Sequence, residues 1–348
     1  MAKGTQNSGW PGFFRVFTVL CAIMLLLAQR YLDLTVPGSG ARQALHVYEG
    51  LTCWAVPALF MLWGMYALEE EGPQLTASLL GLVLPAFCLL VFWGAVYAVS
   101  AHILGGGTPS WSAVWSALLS AVHGNTHFHL WVLYPLIGLY LVHPVFHRFI
   151  SSASQGEIRY FLLLCFLFAS LLPLLALYPS FQTVALQLDR LQVHLVMGWA
   201  GCYVGGWYLR HYTISRFAEY ILYLLGLLSL ALTTMTPTVS PFSPALLRQY
   251  TAPNVLLTAA AFCTLFRYVL GVSEERARRR TVSDLGSYAI GIYWIHQLWV
   301  ILFQHFGLSP LSFIPPLSVP LFALVFFLLS LPFAWLIFHI PGIGPKLT

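Results

Sequence analysis

The sequence contains very little charge. Only 8% of its 348 residues are Asp, Glu, Lys or Arg, whereas soluble globular chains carry about 25%. Hydrophobic residues make up 59% of the chain and aromatic residues 16%, a balance that excludes a soluble globular protein. The formal net charge of +5 does not indicate nucleic-acid binding, because the basic residues lie in loops between apolar runs, where membrane topology explains them.

Short motifs that identify common enzyme classes are also missing. The chain has no Walker loop, no HExxH zinc motif, no GxSxG nucleophile elbow and no dinucleotide fingerprint. Its six cysteines all fall inside apolar runs and none forms a CxxC pair, so we expect packing residues rather than disulfides or a metal cluster. The first apolar run has no cleavage pattern, and we expect it to remain as a membrane span.

Long apolar runs occupy most of the chain, and each is about as long as a helical membrane span, which needs ~20 residues. Continuous rather than alternating hydrophobicity favours helices over a barrel. We therefore predict an all-α, polytopic membrane helix bundle of about ten transmembrane helices. The predicted spans are residues 13–33, 45–68, 75–103, 129–150, 158–178, 192–212, 215–236, 251–272, 282–306 and 315–340.

The distribution of Lys and Arg predicts the orientation of these spans. A cytoplasmic N-terminus leaves on the outer side only four of the 16 Lys and Arg, namely Arg30, Arg42, Arg190 and Arg248. Because basic residues are enriched in cytoplasmic loops, the N-terminus and the C-terminus are both predicted to lie inside. The predicted location is the cell (plasma) membrane, which the chain crosses several times.

Residues 1–348 are predicted to form a single membrane domain, since no loop is long enough for a soluble one. Residues 104–128 form an outer loop that contains either an interfacial helix or a plain packed loop. The basic cluster at 276–280 is a topology anchor, or alternatively attracts an anionic cytoplasmic ligand.

Two histidines open the segment His127–Arg148, which continues as an apolar run and ends in basic residues. His129 could act as a general base toward a hydroxyl, because the ordinary pKa of histidine lies near neutrality. Trp131 and Tyr134 could stack on an apolar or sugar face. The alternative is an interfacial belt of aromatic residues with incidental histidines.

A second histidine, His296, lies well inside a predicted span. It follows Tyr293 by three positions, so the two side chains share one helix face. A histidine in a membrane span is costly and tends to be functional or paired. The alternative is a buried histidine that bonds a backbone carbonyl.

Charged residues near the span ends complete the set of candidates. Arg15 and Arg267 lie at inner ends, where each could hold a cofactor phosphate or anchor its helix, and Arg267 could also pair with Asp284. At the outer ends, ion pairing is expected among Arg30, Asp33 and Glu49, with a substrate-facing carboxylate as the alternative. His127 and His129 lack nearby Cys, Asp or Glu ligands, so no metal is expected.

Three segments resemble signatures of the acyltransferase-3 family of integral membrane acyltransferases. Residues 129–144 read HLWVLYPLIGLYLVHP and are similar to the family's most specific block. Residues 291–296, GIYWIH, resemble a late family segment, and residues 56–64, VPALFMLWG, resemble one in its second helix. The order and spacing of the three segments agree with the family, and together they span most of the chain.

The resemblance implies transfer of an acyl group, often acetyl from acetyl-CoA, to a hydroxyl of a sugar or other envelope molecule. The family's signature positions fall on His129, Trp131, Tyr134, Tyr293 and His296, and Arg15 resembles the arginine that opens its first helix. We assign catalysis to the histidines, acceptor binding to the three aromatic residues, and binding of the acyl-CoA donor to Arg15 and Arg267. The other expected partners are the bilayer and a glycan or lipid-linked acceptor, and a homo-oligomer is left open.

The chain departs from the family at three places. Residues 24–28 lack the histidine that the family places in its first helix, Trp63 replaces a serine, and residues 74–85 lack a basic cluster. Neutral side chains cannot supply charge-assisted bonds to a CoA phosphate. The alternative is therefore a catalytically lapsed relative that binds or translocates a lipid or small metabolite, or serves as a partner subunit. A transporter is disfavoured because no inverted repeat is visible.

Overall fold

The fold was analysed in a computed structural model, which describes residues 9–69, 79–108, 110–112, 115–116, 119, 128–176, 179–191, 198–239, 244–270 and 280–340. Within these ranges the regular structure is entirely helical. The helices of the first half are α1 (Trp10–Leu32), α2 (Gly40–Thr52), α3 (Ala55–Ala67), α4 (Leu79–Leu104), α5 (Phe128–Ser152), α6 (Gln155–Leu175) and α7 (Pro179–Asp189). Those of the second half are α8 (Ala200–His211), α9 (Arg216–Val239), α10 (Pro244–Leu247), α11 (Pro253–Tyr268), α12 (Arg280–His305) and α13 (Pro315–Phe338).

Eight helical segments in the described part of the chain are long and apolar enough to cross a membrane, with α2 and α3 counted together. The other two predicted spans correspond to α8 and α11, which have 12 and 16 residues, fewer than the ~20 that a full span needs. The predicted multi-pass helical bundle is confirmed. The total of ten spans and the inward orientation of both termini remain predictions.

The outward faces of the bundle are apolar. On α13 the exposed positions include Leu317 and Leu328, and on α9 they include Leu224 and Leu227, each more than half exposed. A soluble protein rarely exposes continuous apolar faces of this kind, whereas a lipid bilayer solvates them and requires helices to satisfy their own backbone hydrogen bonds. These helices therefore present their apolar faces to lipid.

The second predicted span is broken between α2 and α3. Pro57 has no backbone N–H, so it cannot donate to the carbonyl of Cys53 four residues earlier. Two side chains in the break use carbonyls of the preceding turn: the Trp54 Nε1–H donates to Leu51 at 2.8 Å, and the Cys53 thiol lies 3.6 Å from the carbonyl of Gly50. The break leaves α2 at the carboxyl end of α1 and α3 beside its amino-terminal half.

Helices α3 and α8 cross at very short range because glycines lie at the crossing. A Cβ added to Gly64 would overlap the backbone carbonyl of Tyr203, and one added to Gly206 would overlap that of Met61. Small residues allow such approach between membrane helices. This crossing holds the short helix α8 against the buried centre of the bundle.

All six cysteines are free thiols, and all except Cys88 are buried, in agreement with the predicted packing role. Several other predictions lie outside the described residues. They are most of the 104–128 loop with its interfacial helix, residues 276–279 of the basic cluster, the side chains of Arg280 and Asp284, and His127.

Candidate active site

The two histidines assigned to catalysis meet in the centre of the bundle. His129 lies in the 3₁₀ turn that opens α5, and His296 lies in the middle of α12. Both are 0% exposed, and their rings are 5.5 Å apart in an edge-to-face arrangement. The structure therefore joins two chemical groups that are 167 positions apart in the sequence.

Hydrogen bonds fix the orientation of this histidine pair. The Tyr293 hydroxyl donates to the backbone carbonyl of His129 at 3.1 Å, and His296 Nδ1 lies 2.6 Å from the carbonyl of Tyr293. Because a carbonyl only accepts, Nδ1 of His296 carries the proton and Nε2 carries the lone pair of the neutral ring. Tyr97 adds a ring contact to His129 at 4.9 Å and donates its hydroxyl to the carbonyl of Trp294.

A cavity of about 760 Å³ lies beside the carboxyl end of α1, and we call it the outer cavity in line with the predicted orientation. Its walls come from α1, α2, the start of α5, the start of α8 and the loop before α11. The lining residues are Gln29, Leu32, His46, Glu49, Trp131, Trp199, Arg248, Gln249, Tyr250 and Thr251. The cavity thus combines aromatic rings with charged and amide groups.

An ion pair lies in the wall of the outer cavity. Arg248 Nη1 is 3.0 Å from Glu49 Oε2 and 2.8 Å from Nδ1 of His46. The predicted pairing among Arg30, Asp33 and Glu49 is therefore wrong, because Glu49 pairs with Arg248. Arg30 instead donates to the Gln304 side chain at 2.7 Å. Glu49 also lines the outer cavity, and the alternative of a substrate-facing carboxylate stays a prediction.

Trp131 forms part of an aromatic wall in the outer cavity. Its ring stacks on Tyr250 with a centroid distance of 5.4 Å and an interplanar angle of 10°. The Tyr250 hydroxyl donates to Gln29 at 3.0 Å, and Gln29 donates to Glu49 at 3.3 Å. Burial raises the pKa of Tyr250 to about 12, so this hydroxyl stays protonated. Tyr134, by contrast, is 43% exposed and is absent from the residues that line the cavity.

A second cavity, of about 650 Å³, lies beside the amino end of α1, and we call it the inner cavity. Its walls come from α1, α3, α4, α5 and α12. The lining residues are Arg15, Leu62, Trp63, Tyr66, Ala67, Glu69, Gly81, Leu82, Pro85, Ala86, Leu89, Leu133, Leu136, Tyr140, Ile290 and Trp294.

Arg15 is held in the wall of the inner cavity. Its guanidinium lies 3.9 Å from the centre of the Tyr66 ring, and Nη1 donates to the carbonyl of Gly286 at 3.1 Å. Within the described residues its buried Nε has no hydrogen-bond partner. A second arginine, Arg210, pairs with Glu69 at 2.8 Å and lies 5.2 Å from the same Tyr66 ring. Among the described residues, the inner cavity is therefore lined by one guanidinium, that of Arg15, and by one carboxylate, that of Glu69, which pairs with Arg210.

The Arg267 side chain donates hydrogen bonds to backbone carbonyls at the end of a neighbouring helix. Its Nη1 donates to the carbonyls of Leu209 and Tyr212, the latter at 2.8 Å. These carbonyls belong to the last turn and the end of α8, where backbone acceptors lack partners inside the helix. The geometry gives Arg267 a capping function, while its assignment to cofactor binding stays a prediction.

Sequence neighbours of the two histidines line both cavities. Along α5, Trp131 lines the outer cavity and Leu133 lines the inner cavity, and Trp294 of α12 lines the inner one. Neither His129 nor His296 is among the described residues that line either cavity. We call the enclosed histidine pair, together with the side chains packed around it, the partition.

Sequence reasoning missed several residues of this arrangement. Tyr97 and Tyr250 carry no local signal, since each is an isolated tyrosine in a chain with 17 of them. Arg248 carries only the signal of a loop charge at the predicted outer side. Its neighbour sequence Arg248-Gln249-Tyr250-Thr251 is a polar interruption before an apolar helix, and that was the available signal.

Comparison with known proteins gives one match. A family model described as an acyltransferase domain, of the acyltransferase-3 type, matches residues 7–339, which is nearly the whole chain. No curated protein and no solved structure matches it significantly.

Proposed function

The chain belongs to the acyltransferase-3 family, and from this premise we propose that it moves an acyl group, first of all acetyl, from an acyl-CoA to a hydroxyl of an envelope glycan or lipid-linked acceptor. We propose the cell (plasma) membrane as its location. The observation that supports this proposal is the buried pair of histidine rings, 5.5 Å apart, in a bundle that has a cavity near each end of α1.

The inner cavity suits the donor. Arg15 lines the inner cavity, and its guanidinium lies over the Tyr66 ring, near that of Arg210, which pairs with Glu69. Guanidinium groups bind phosphate oxygens through charge-assisted hydrogen bonds, and the unused Nε of Arg15 is one such donor. These cations supply, from α1 and α8, positive charge that the sequence lacks in residues 74–85.

The outer cavity suits a hydroxylated acceptor. Trp131, Trp199 and Tyr250 supply aromatic surface, and Gln29 and Glu49 supply polar groups that can orient hydroxyls. Ligand sites commonly combine an apolar wall with a few convergent polar groups. The distance along α1 from Arg15 to Gln29 is about 21 Å at about 1.5 Å per residue, so the two substrates would approach from opposite sides of the bundle.

The chemistry needs a base at the partition. In the proposed step an imidazole Nε2 removes the proton of the acceptor hydroxyl while the oxygen attacks the thioester carbonyl carbon. The carbon–sulfur bond then breaks, and the imidazolium returns the proton to the CoA sulfur. His296 is suited to this step because its Nδ1–H is held by a carbonyl, which orients Nε2 as the acceptor. In a second route, the acyl group passes through an imidazole before it reaches the acceptor.

The partition also sets a requirement for movement. Leu26 occupies the region where the family has its first-helix histidine, and it is 5% exposed in the apolar core. We therefore assign the base to His129 or His296, whose rings pack against those of Tyr97 and Tyr293. Transfer requires these side chains to open the partition toward both cavities.

A transfer assay tests the proposal. Membrane vesicles that contain the full chain would be supplied with acetyl-CoA labelled in the acetyl group, and base-labile label in the envelope fraction would be counted. We expect incorporation with wild type and with Arg148→Ala, an exposed arginine on α5, and strong loss with Arg15→Ala and His296→Asn. Equal labelling by wild type and by vesicles without the protein would contradict the proposal and favour the catalytically lapsed alternative.

A further inference from the structure

The guanidinium of Arg248 is buried in the wall of the outer cavity, yet only one of its three nitrogens makes polar contacts with described residues. The residue is 7% exposed, and Nη1 makes both of its polar contacts, to Glu49 and to His46. Within the described part of the chain, Nε and Nη2 have no hydrogen-bond partner, and both atoms are covered, so a ligand in the cavity reaches them only when the side chain turns. A buried charged group with unused donors is costly unless a ligand, an ion or water satisfies them.

The two unused nitrogens form one edge of the planar guanidinium. An edge of this kind presents two parallel N–H groups and matches the two oxygens of a carboxylate or phosphate in a bidentate geometry. Neutral hydroxyl groups do not satisfy such an edge equally well, because charge-assisted bonds are roughly twice as strong as neutral ones. The edge therefore favours an oxyanion.

The charges around this edge leave room for an added negative charge. Arg248 can only donate hydrogen bonds, so its Nη1, 2.8 Å from Nδ1 of His46, makes that nitrogen an acceptor. An imidazole with an accepting Nδ1 is neutral. The contact of the same nitrogen with Glu49 is longer, at 3.4 Å, and does not change this assignment. Arg42 adds a second guanidinium nearby, bonded to the carbonyl of the cavity residue Leu32. Glu49 is the one carboxylate among the described residues that line this cavity, and it is already paired with Nη1 of Arg248.

We propose that the molecule bound in the outer cavity carries an oxyanion, a carboxylate or phosphate, that docks on the Nε and Nη2 edge of Arg248. The rest of that molecule lies against the aromatic wall formed by Trp131 and Trp199. This inference rests on the proposed function for the identification of this cavity as the acceptor site, and it narrows the acceptor to an acidic carbohydrate or an anionic lipid-linked sugar.

A binding experiment without any acyl donor tests the inference. The full chain in phosphatidylcholine nanodiscs would be titrated with glucose, glucuronate and glucose 6-phosphate, and binding would be measured by calorimetry. We expect at least one of the two anionic sugars to bind tenfold or more tightly than glucose, and the tighter of them identifies carboxylate or phosphate. Displacement of that sugar by phosphatidylglycerol in the nanodisc assigns a lipid phosphate as the natural source, and no displacement assigns the sugar itself. Equal affinity for the three sugars overturns the inference.

The variant Arg248→Lys distinguishes oxyanion binding by the guanidinium edge from the structural contribution of the ion pair with Glu49. Lysine keeps a positive charge for Glu49 but has no planar edge, so the tenfold preference should disappear while the protein stays folded. The control Arg190→Lys changes an exposed arginine on the same predicted side and should keep the preference. A folded Arg248→Lys protein that retains the preference refutes the inference. If anionic sugars bind preferentially through Arg248 but the protein transfers no acyl group, the result counts against the proposed function and not against this inference.

Discussion

Neutralising Glu49 is expected to destabilise the protein strongly, because Glu49 is the ionic partner of a buried arginine. The side chains of Arg248 and Glu49 are only 4% and 15% exposed. Glu49→Gln keeps the size of the side chain but leaves the guanidinium of Arg248 without its counter-charge. Removing one member of a buried pair usually costs more than removing both, since the remaining charge stays desolvated.

The magnitude follows from the geometry of the pair. Nη1 and Oε2 are 3.0 Å apart, and Coulomb's law with an effective dielectric of about 20 gives roughly 5 kcal/mol for unit charges at that distance. Glutamine can still accept a hydrogen bond and recovers part of this energy. We therefore expect Glu49→Gln to reduce the free energy of unfolding by about 3 kcal/mol, within the range of about 3–5 kcal/mol for broken buried pairs.

A double-mutant cycle provides the assay. Unfolding in mixed detergent and denaturant would be measured for wild type, Glu49→Gln, Arg248→Met and the double variant. The double variant should be at least about 1.5 kcal/mol more stable than the sum of the single effects predicts. A coupling energy near zero would refute the buried pair and, with it, the arrangement of the outer cavity.

Three further predictions follow from the partition and the helix crossing. In His296→Asn, the side-chain amide N–H takes the place of Nδ1–H but no base remains. This variant should lower acyl transfer by about 100-fold or more with little change in the temperature of thermal unfolding. Activity within threefold of wild type would exclude His296 as the base. Gly64→Ala and Gly206→Ala should each destabilise the protein by about 1–3 kcal/mol through overpacking at the helix crossing. The control Gly138→Ala should not, because an added Cβ there meets no atom within 4 Å. Equal thermal stability of the three variants would contradict the close crossing of α3 and α8. Tyr250→Phe should lose about 1 kcal/mol in the same unfolding assay because its hydroxyl hydrogen bond is removed, and an unchanged stability would show that this bond contributes nothing.

The membrane architecture could be predicted from the sequence because its signals are local. A span needs a continuous apolar run, and the runs that became α1, α4 and α13 are visible without any tertiary information. The shorter α8 and α11 show the limit of this reasoning. Each continues a predicted apolar run, but the helix itself is shorter than a bilayer is thick, and packing against α3 or α9 decides where it lies.

The site was only partly predictable because its contacts join distant segments. Tyr293 and His296 share a helix face by their spacing alone, and their approach to His129 agrees with the signatures that suggested a common site. The partner of Glu49 was missed because Arg248 is 199 positions away. For Arg267, the sequence shows a positive charge at a helix end, but only the fold shows that it caps α8.

The central claim is that the inner cavity binds an acyl-CoA through Arg15. The most direct measurement is calorimetric titration of the purified full chain in detergent with acetyl-CoA, beside Arg15→Ala and the exposed control Arg148→Ala. We expect saturable binding to wild type and to Arg148→Ala. Binding to Arg15→Ala should be at least about tenfold weaker, since a charge-assisted hydrogen bond contributes about 1.5–3 kcal/mol. Absence of binding to wild type at millimolar acetyl-CoA, or equal binding by all three proteins, would contradict this claim.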